Sequence, residues 1–143
     1  MRALTCCVVA VGLFCVSIAQ GADKPVHIFI LSGQSNMAGM DAKLGFEPET
    51  KELFPDAEVV YFKVARGGQP IRLWVSQWNE IAAKHELNSK VDGTKYYDPI
   101  VAQFEKLIEK HPNPASVTFC WMQGERDARE KLSPAYADAL KQL

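Results

Sequence analysis

The chain has 143 residues, the usual size of one domain, and its 48% apolar, 23% charged and 10% aromatic content is ordinary globular usage rather than disorder. Sixteen basic against seventeen acidic residues give a formal net charge of -1, so no global electrostatic drive towards nucleic acid exists.

The first twenty-one residues are a different kind of sequence from the rest. Met1-Arg2 is a short basic start, and Leu4 to Ala19 is almost uninterrupted apolar residue. Ala19-Gln20-Gly21 then places small residues where a signal peptidase reads, which predicts a signal peptide over residues 1–21, cut after Gly21. The expected product is secreted or periplasmic. The alternative is a retained anchor, but the run falls short of the ~20 residues a spanning helix needs, and no basic stop-transfer cluster follows it. No stable membrane insertion is expected after cleavage. Cleavage would also remove Cys6, Cys7 and Cys15, so that only Cys120 of the four cysteines stays and no internal disulfide forms. Residues 22–143 would carry 15 basic and 17 acidic side chains, a net charge of -2.

Along the remaining chain, Val26 to Leu31 is a nearly continuous apolar run, as expected of a central parallel strand covered on both faces. Ser32-Gly33-Gln34-Ser35-Asn36 stops it, and Met37 to Met40 suits a short helix or turn. Asp41 to Asp56 has no clear period and holds Pro48 and Pro55, which predicts a surface excursion. Glu58 to Ala65 is a second strand, rich in β-branched and aromatic residues, ended by Arg66-Gly67-Gly68-Gln69-Pro70. Trp74, Trp78, Ile81, Ala82 and His85 follow at helical spacing. Glu86 to Tyr97 is polar loop. Asp98-Pro99 predicts a capped helix start, with Ile100, Val101, Phe104, Leu107 and Ile108 on one face and Pro112 and Pro114 ending it. Ser116 to Trp121 is a third strand, in which Cys120 suits a small buried hydrophobe. Ser133-Pro134 repeats the cap-and-proline start, followed by Tyr136, Ala137 and Leu140.

Strands separated by helical segments predict an α/β fold, a three-layer α/β/α arrangement with a parallel sheet. In such sheets a ligand sits beyond the carboxyl ends of the strands, and here three polar, glycine-containing turns follow the three strands. Ser35, directly after a strand and before a helix start, is placed either to act as a nucleophile with backbone N–H groups facing an oxyanion, or with Ser32 and Asn36 simply to cap the turn. Gly33 allows backbone geometry that a Cβ would obstruct. Gly67-Gly68 is either a tight left-handed turn or an oxyanion donor, and the Gln123 side chain supplies a further NH₂. Glu125 and Asp127, near the same edge, would orient a histidine, bind a sugar hydroxyl or cap the next turn.

At these residues the chain resembles a known family. Gly33-Gln34-Ser35-Asn36-Met37-Ala38-Gly39 and Trp121-Met122-Gln123-Gly124-Glu125-Arg126-Asp127 look like the two hallmark blocks of the sialate O-acetylesterase-like carbohydrate esterases, within the SGNH hydrolase superfamily. The second block departs at Met122, where the family commonly has His, and at Arg126, where it commonly has Ser. Gly67-Gly68 before Trp74 resembles the intervening glycine block, so the similarity runs from Val26 to Leu143. The resemblance implies Ser35 as nucleophile. It implies an oxyanion hole from the Ser35 N–H, a Gly67 or Gly68 N–H and the Gln123 side chain. Glu125 and Asp127 would support the site, and Trp121 would be structural or line the substrate. The implied reaction removes O-acetyl groups from sialic acid or polysaccharide through an acyl-enzyme.

That chemistry needs a general base, which the family places in an Asp-x-x-His block near its C-terminus; no such block occurs here. His27 reads as a packed or surface strand residue, His85 as a helix-face or end residue, and His111 as a helix C-terminal residue. The last helix has no stop signal, and three strands leave sheet edges open. These features predict residues 22–143 as the N-terminal portion of a larger esterase domain, incomplete at its C-terminus and weak or inactive by itself. The competing expectation is a catalytically incomplete glycan-binding or structural relative. A serine lipase-like hydrolase for other esters is the third. The expected partner is an acetylated carbohydrate, and no metal or cofactor pattern occurs.

Overall fold

The computed structural model describes residues 24–91 and 94–143. The predicted leader, with its cleavage site after Gly21, therefore lies outside the described residues. Three strands form one open, all-parallel sheet: β1 (Val26–Gly33), β2 (Glu58–Ala65) and β3 (Ser116–Met122), in the order β2-β1-β3. The fold is α/β, as the alternation of strand and helix patterns predicts. Ile28 lies opposite Val60 on one side and Val117 on the other, and Gly33 opposite Ala65 and Met122, so the three strands end level.

Helical segments cover both faces of the sheet. On one face Phe29 meets Phe46 edge-on, and Phe46 meets Tyr61; Phe46 opens α2 (Phe46–Leu53). On the other, Ile30, Phe62, Val64 and Trp121 pack with Ile100 and Phe104 of α4 (Tyr97–Lys110) and with Trp74. A second apolar cluster joins the 3₁₀ turn Ile71–Leu73, α3 (Trp78–Lys84) and α6 (Ser133–Leu140) through Ile71, Val75, Trp78, Ile81, Leu132, Ala135 and Ala139. Two short helices, α1 (Ser35–Gly39) and α5 (Glu125–Arg129), stand just after β1 and β3.

Several local expectations need correction. The excursion from Asp41 to Asp56 contains α2. Pro48 is tolerated there because it is the third helical residue, where a backbone N–H has no intrahelical partner, and Glu47 and Glu49 suit the positive end of the helix dipole. Helix α4 starts at Tyr97, ahead of the expected cap; Asp98 accepts a hydrogen bond from Thr94 Oγ1 at 2.9 Å instead of capping. Ser133 is likewise the first helical residue of α6, with no side-chain cap bond at Leu132. Trp74 stands apart from α3, four residues ahead of its first turn. Ser32 belongs to β1 rather than to the turn: its hydroxyl donates to the Val64 carbonyl at 2.6 Å and accepts from Trp74 Nε1 at 3.0 Å.

Candidate functional site at the strand ends

The central strand sets the site. Gly33, the last residue of β1, has φ +138°, and a Cβ built there would lie 2.1 Å from the Met122 carbonyl oxygen. Only glycine fits where β1 presses against β3. The next residue, the buried Gln34, donates its backbone N–H to Met122 O at 2.9 Å, and Arg66 donates to Gly33 O at 3.1 Å. All three strand-end turns are thereby tied together.

Ser35 opens α1 and is exposed. As the first helical residue its backbone N–H has no intrahelical partner, so both its hydroxyl and its amide are available to a ligand. The Gly67-Gly68 turn lies against it: a Cβ at Gly67 would be 3.9 Å from Ser35 Cα and Cβ, while Gly68 has φ +67°. The tight left-handed turn is therefore present, and it packs against the serine. From α5, Glu125 accepts a hydrogen bond from Asn36 Nδ2 at 2.9 Å, and Arg126 N–H donates to Gln34 Oε1 at 3.3 Å. Gln34, Ser35, Gly68, Glu125, Arg126 and Arg129 line a cleft of about 250 Å³.

Gln123 and Asp127 lie behind this cleft rather than in its lining. The Gln123 amide donates to Gln69 O at 3.0 Å and to the Asp127 carboxylate, and its Oε1 accepts from the Tyr136 hydroxyl at 2.8 Å. Trp121 Nε1 donates to the same Tyr136 oxygen at 3.0 Å. With both Gln123 hydrogens engaged, an oxyanion contact from this side chain requires one of them to be released. Asp127 is 1% exposed and receives the backbone N–H of Ile71. Burial raises its pKa above the ordinary carboxylate value, against the lowering by Gln123 and Ile71. On the outer side, Glu130 takes both Arg72 and Arg126; burial pulls its pKa up, but the two guanidinium groups outweigh this and hold it below normal.

Compared with protein-family models, curated proteins and solved structures, the chain matches none.

No histidine lines the cleft. His27 is near the start of β1, about 20 Å by strand rise from Gly33 at its other end, and its Nδ1 pairs with Ser116 Oγ at 2.7 Å. His111 follows the last residue of α4 and lines a cavity with Val26, Glu58 and Lys110, at the opposite end of the sheet. His85 follows α3 and binds Asp138 at 2.9 Å. Cys120 is half-buried, and burial pushes its thiol pKa up, which suits packing rather than attack. Among the described residues no His, Cys, Asp and Glu cluster has metal-ligand geometry, and no helix is long and apolar enough to cross a membrane.

The two arginines of the cleft and Tyr136 are the functional candidates that sequence reasoning missed. In the sequence Arg126 stands out only as a departure from a motif. Tyr136 reads as an apolar helix position, and nothing local signals that its hydroxyl reaches Gln123.

Proposed function

We propose that this chain carries the nucleophile-bearing part of a serine carbohydrate O-acetylesterase similar to the sialate O-acetylesterase-like members of the SGNH hydrolases. The observation that carries the reading is Ser35: an exposed serine at the first residue of a helix, directly after the central strand of a parallel sheet, against the Gly67-Gly68 turn. Ser35 Oγ would attack the acetyl carbonyl carbon while its proton passes to a base. The Ser35 N–H and a Gly67 or Gly68 N–H would hold the oxygen anion. Collapse breaks the bond to the sugar oxygen, which leaves with a proton; water then releases acetate from Ser35. Gln123 and Asp127 support the turn that faces the serine, and Glu125 holds Asn36 beside it. Acetate release from acetylated sialic acid and acetylated xylan by the wild type and Ser35→Ala tests the reading. A rate that depends on Ser35 supports it, and equal rates reject it.

One observation favours a second reading, a glycan-binding or structural relative without efficient turnover: the cleft beside Ser35 contains no histidine. A serine without a base is a weak nucleophile, although oxyanion stabilisation and binding alone leave ~10³–10⁴-fold catalysis over water in well-built sites. Saccharide binding that is unchanged in Ser35→Ala, with no acetate released by either protein, would select this second reading.

A further inference from the structure

Resting on the esterase reading of the same cleft, we propose that the side-chain amide of Gln34 is the third donor to the acetyl carbonyl oxygen, the part that Gln123 is not free to play. Gln34 is 3% exposed, yet it lines the cleft with Ser35. Three of its four polar groups are committed within the protein. Its backbone N–H donates to Met122 O at 2.9 Å, and its carbonyl accepts from the Ala38 N–H at 2.8 Å. Its Oε1 accepts from the Arg126 N–H at 3.3 Å and from Gln123 Nε2 at 3.5 Å. A backbone N–H can only donate, so Oε1 is the end of the amide turned to α5 and Nε2 is the end left over. Among the described residues Nε2 has no hydrogen-bond partner, and the side chain does not cap α1.

The neighbouring side-chain amides turn their NH₂ groups to the protein instead. Asn36 donates to Glu125, Gln69 to Gly67 O at 3.3 Å, and Gln123 to Gln69 O and Asp127. A buried donor left unpaired destabilises a fold, so one that opens on a cleft points to an acceptor brought by a ligand. The residue after it is the nucleophile, which places that acceptor on the group Ser35 attacks. As Ser35 Oγ bonds to the acetyl carbon, the carbonyl electron pair moves onto its oxygen. Gln34 Nε2 meets that oxygen with a hydrogen bond and gives up no proton. Because Oε1 and both backbone groups are already held, the donor needs no reorganisation as the charge develops. Glu125, Arg126 and Arg129 line the same cleft, and a neutral amide serves whatever the balance of their charges.

The test uses the full 143-residue chain with an O-acetylated xylo-oligosaccharide and the same oligosaccharide without acetyl groups. In heteronuclear NMR the Gln34 side-chain NH₂ signals are expected to shift with the acetylated probe only, and further than those of Gln123. Acetate release is followed in parallel. Gln34→Met keeps the length of the side chain and removes the donor; it is expected to lower kcat about 100-fold, the usual loss for one oxyanion donor, with KM changed about threefold or less. Gln34→Glu keeps the acceptor for the Arg126 N–H and should lose as much, which separates the donor from its packing. Where a variant does not fold, the wild-type NMR shift decides. No Gln34 shift with the acetylated probe, or an equal shift with both probes, overturns the proposal. Ser35-dependent release that survives Gln34→Met at about the wild-type rate also overturns it and keeps the esterase reading. An acetyl-specific Gln34 shift with no release by the wild type keeps Gln34 as the acetyl donor and ends the esterase reading.

Discussion

Asp127 receives the backbone N–H of Ile71 on both carboxylate oxygens, at 3.1 and 3.0 Å, across 56 residues of chain. The contact fastens the 3₁₀ turn after the second strand to α5 after the third. Asp127→Ala leaves the Ile71 N–H and one Gln123 hydrogen without an acceptor in a buried place, and is expected to cost about 1–3 kcal/mol in urea unfolding. The sign of the pH effect follows from the raised pKa. Between the ordinary carboxylate value and the raised one, the folded chain takes up a proton that the unfolded chain does not. Stability from this group is therefore greatest at low pH and is lost as pH rises through the folded pKa. The stability of the wild type relative to Asp127→Asn, which cannot titrate, should increase as pH falls; a difference independent of pH contradicts the assignment.

Gly33→Ala forces a Cβ onto the Met122 carbonyl in a backbone region that L-residues avoid. Since the atom in the way is backbone, relief needs β1 and β3 to part at their ends. A loss of about 3 kcal/mol is expected, with the Gln34 amide losing its slow hydrogen exchange. A variant as stable as the wild type excludes this close approach.

Trp74 is fully buried, stacks on Tyr96 and donates to Ser32. Trp74→Phe keeps most of the packing and removes the donor, for an expected cost of about 1 kcal/mol; Trp74→Ala adds a cavity and should cost about 3–5 kcal/mol. Urea midpoints distinguish the two terms, and equal losses from both variants count against the hydrogen bond.

Asp138 joins α6 to the end of α3 by accepting from Lys84 and His85, and these partners bring its pKa down from 3.8 to about 2. A depressed carboxylate contributes stability above its unfolded pKa and loses it as pH falls through the folded value, so the window lies between 3.8 and about 2. Carboxyl NMR titration should place Asp138 at the low end of this range, moving back towards 3.8 in Lys84→Ala and in high salt. An unshifted titration in the wild type contradicts the pairing.

The strands were legible because each is a short apolar, β-branched run closed by polar turn residues, and a parallel sheet needs just that pattern. Their common carboxyl edge, and hence the meeting of Ser35 with the glycine turn, followed from the alternation with helices. Helix α2 is hidden because Pro48 looks like a breaker, although a proline in the first turn leaves the helix intact. The starts of α4 and α6 carry the residue types of a capped proline start, yet Thr94 captures Asp98, and Ser133 is already helical. What the sequence could not show is which polar atoms would be consumed by distant partners. Gln123 reads as a free donor until Gln69 and Asp127 take its hydrogens, and Arg126 and Arg129 look alike until Glu130 holds only one.

The sheet order β2-β1-β3 also has a temporal meaning. Ser35 directly follows the strand made first, the glycine turn arrives with the second, and the Met122 carbonyl that locks Gln34 arrives only with the third. During synthesis Ser35 thus leaves the ribosome long before its surroundings exist. Non-local parallel pairing of this kind is intrinsically slow to form, so β1 must wait, apolar on both faces, for most of the chain to follow. Until β3 arrives, the turn that follows β1 has no partner for the Gln34 amide.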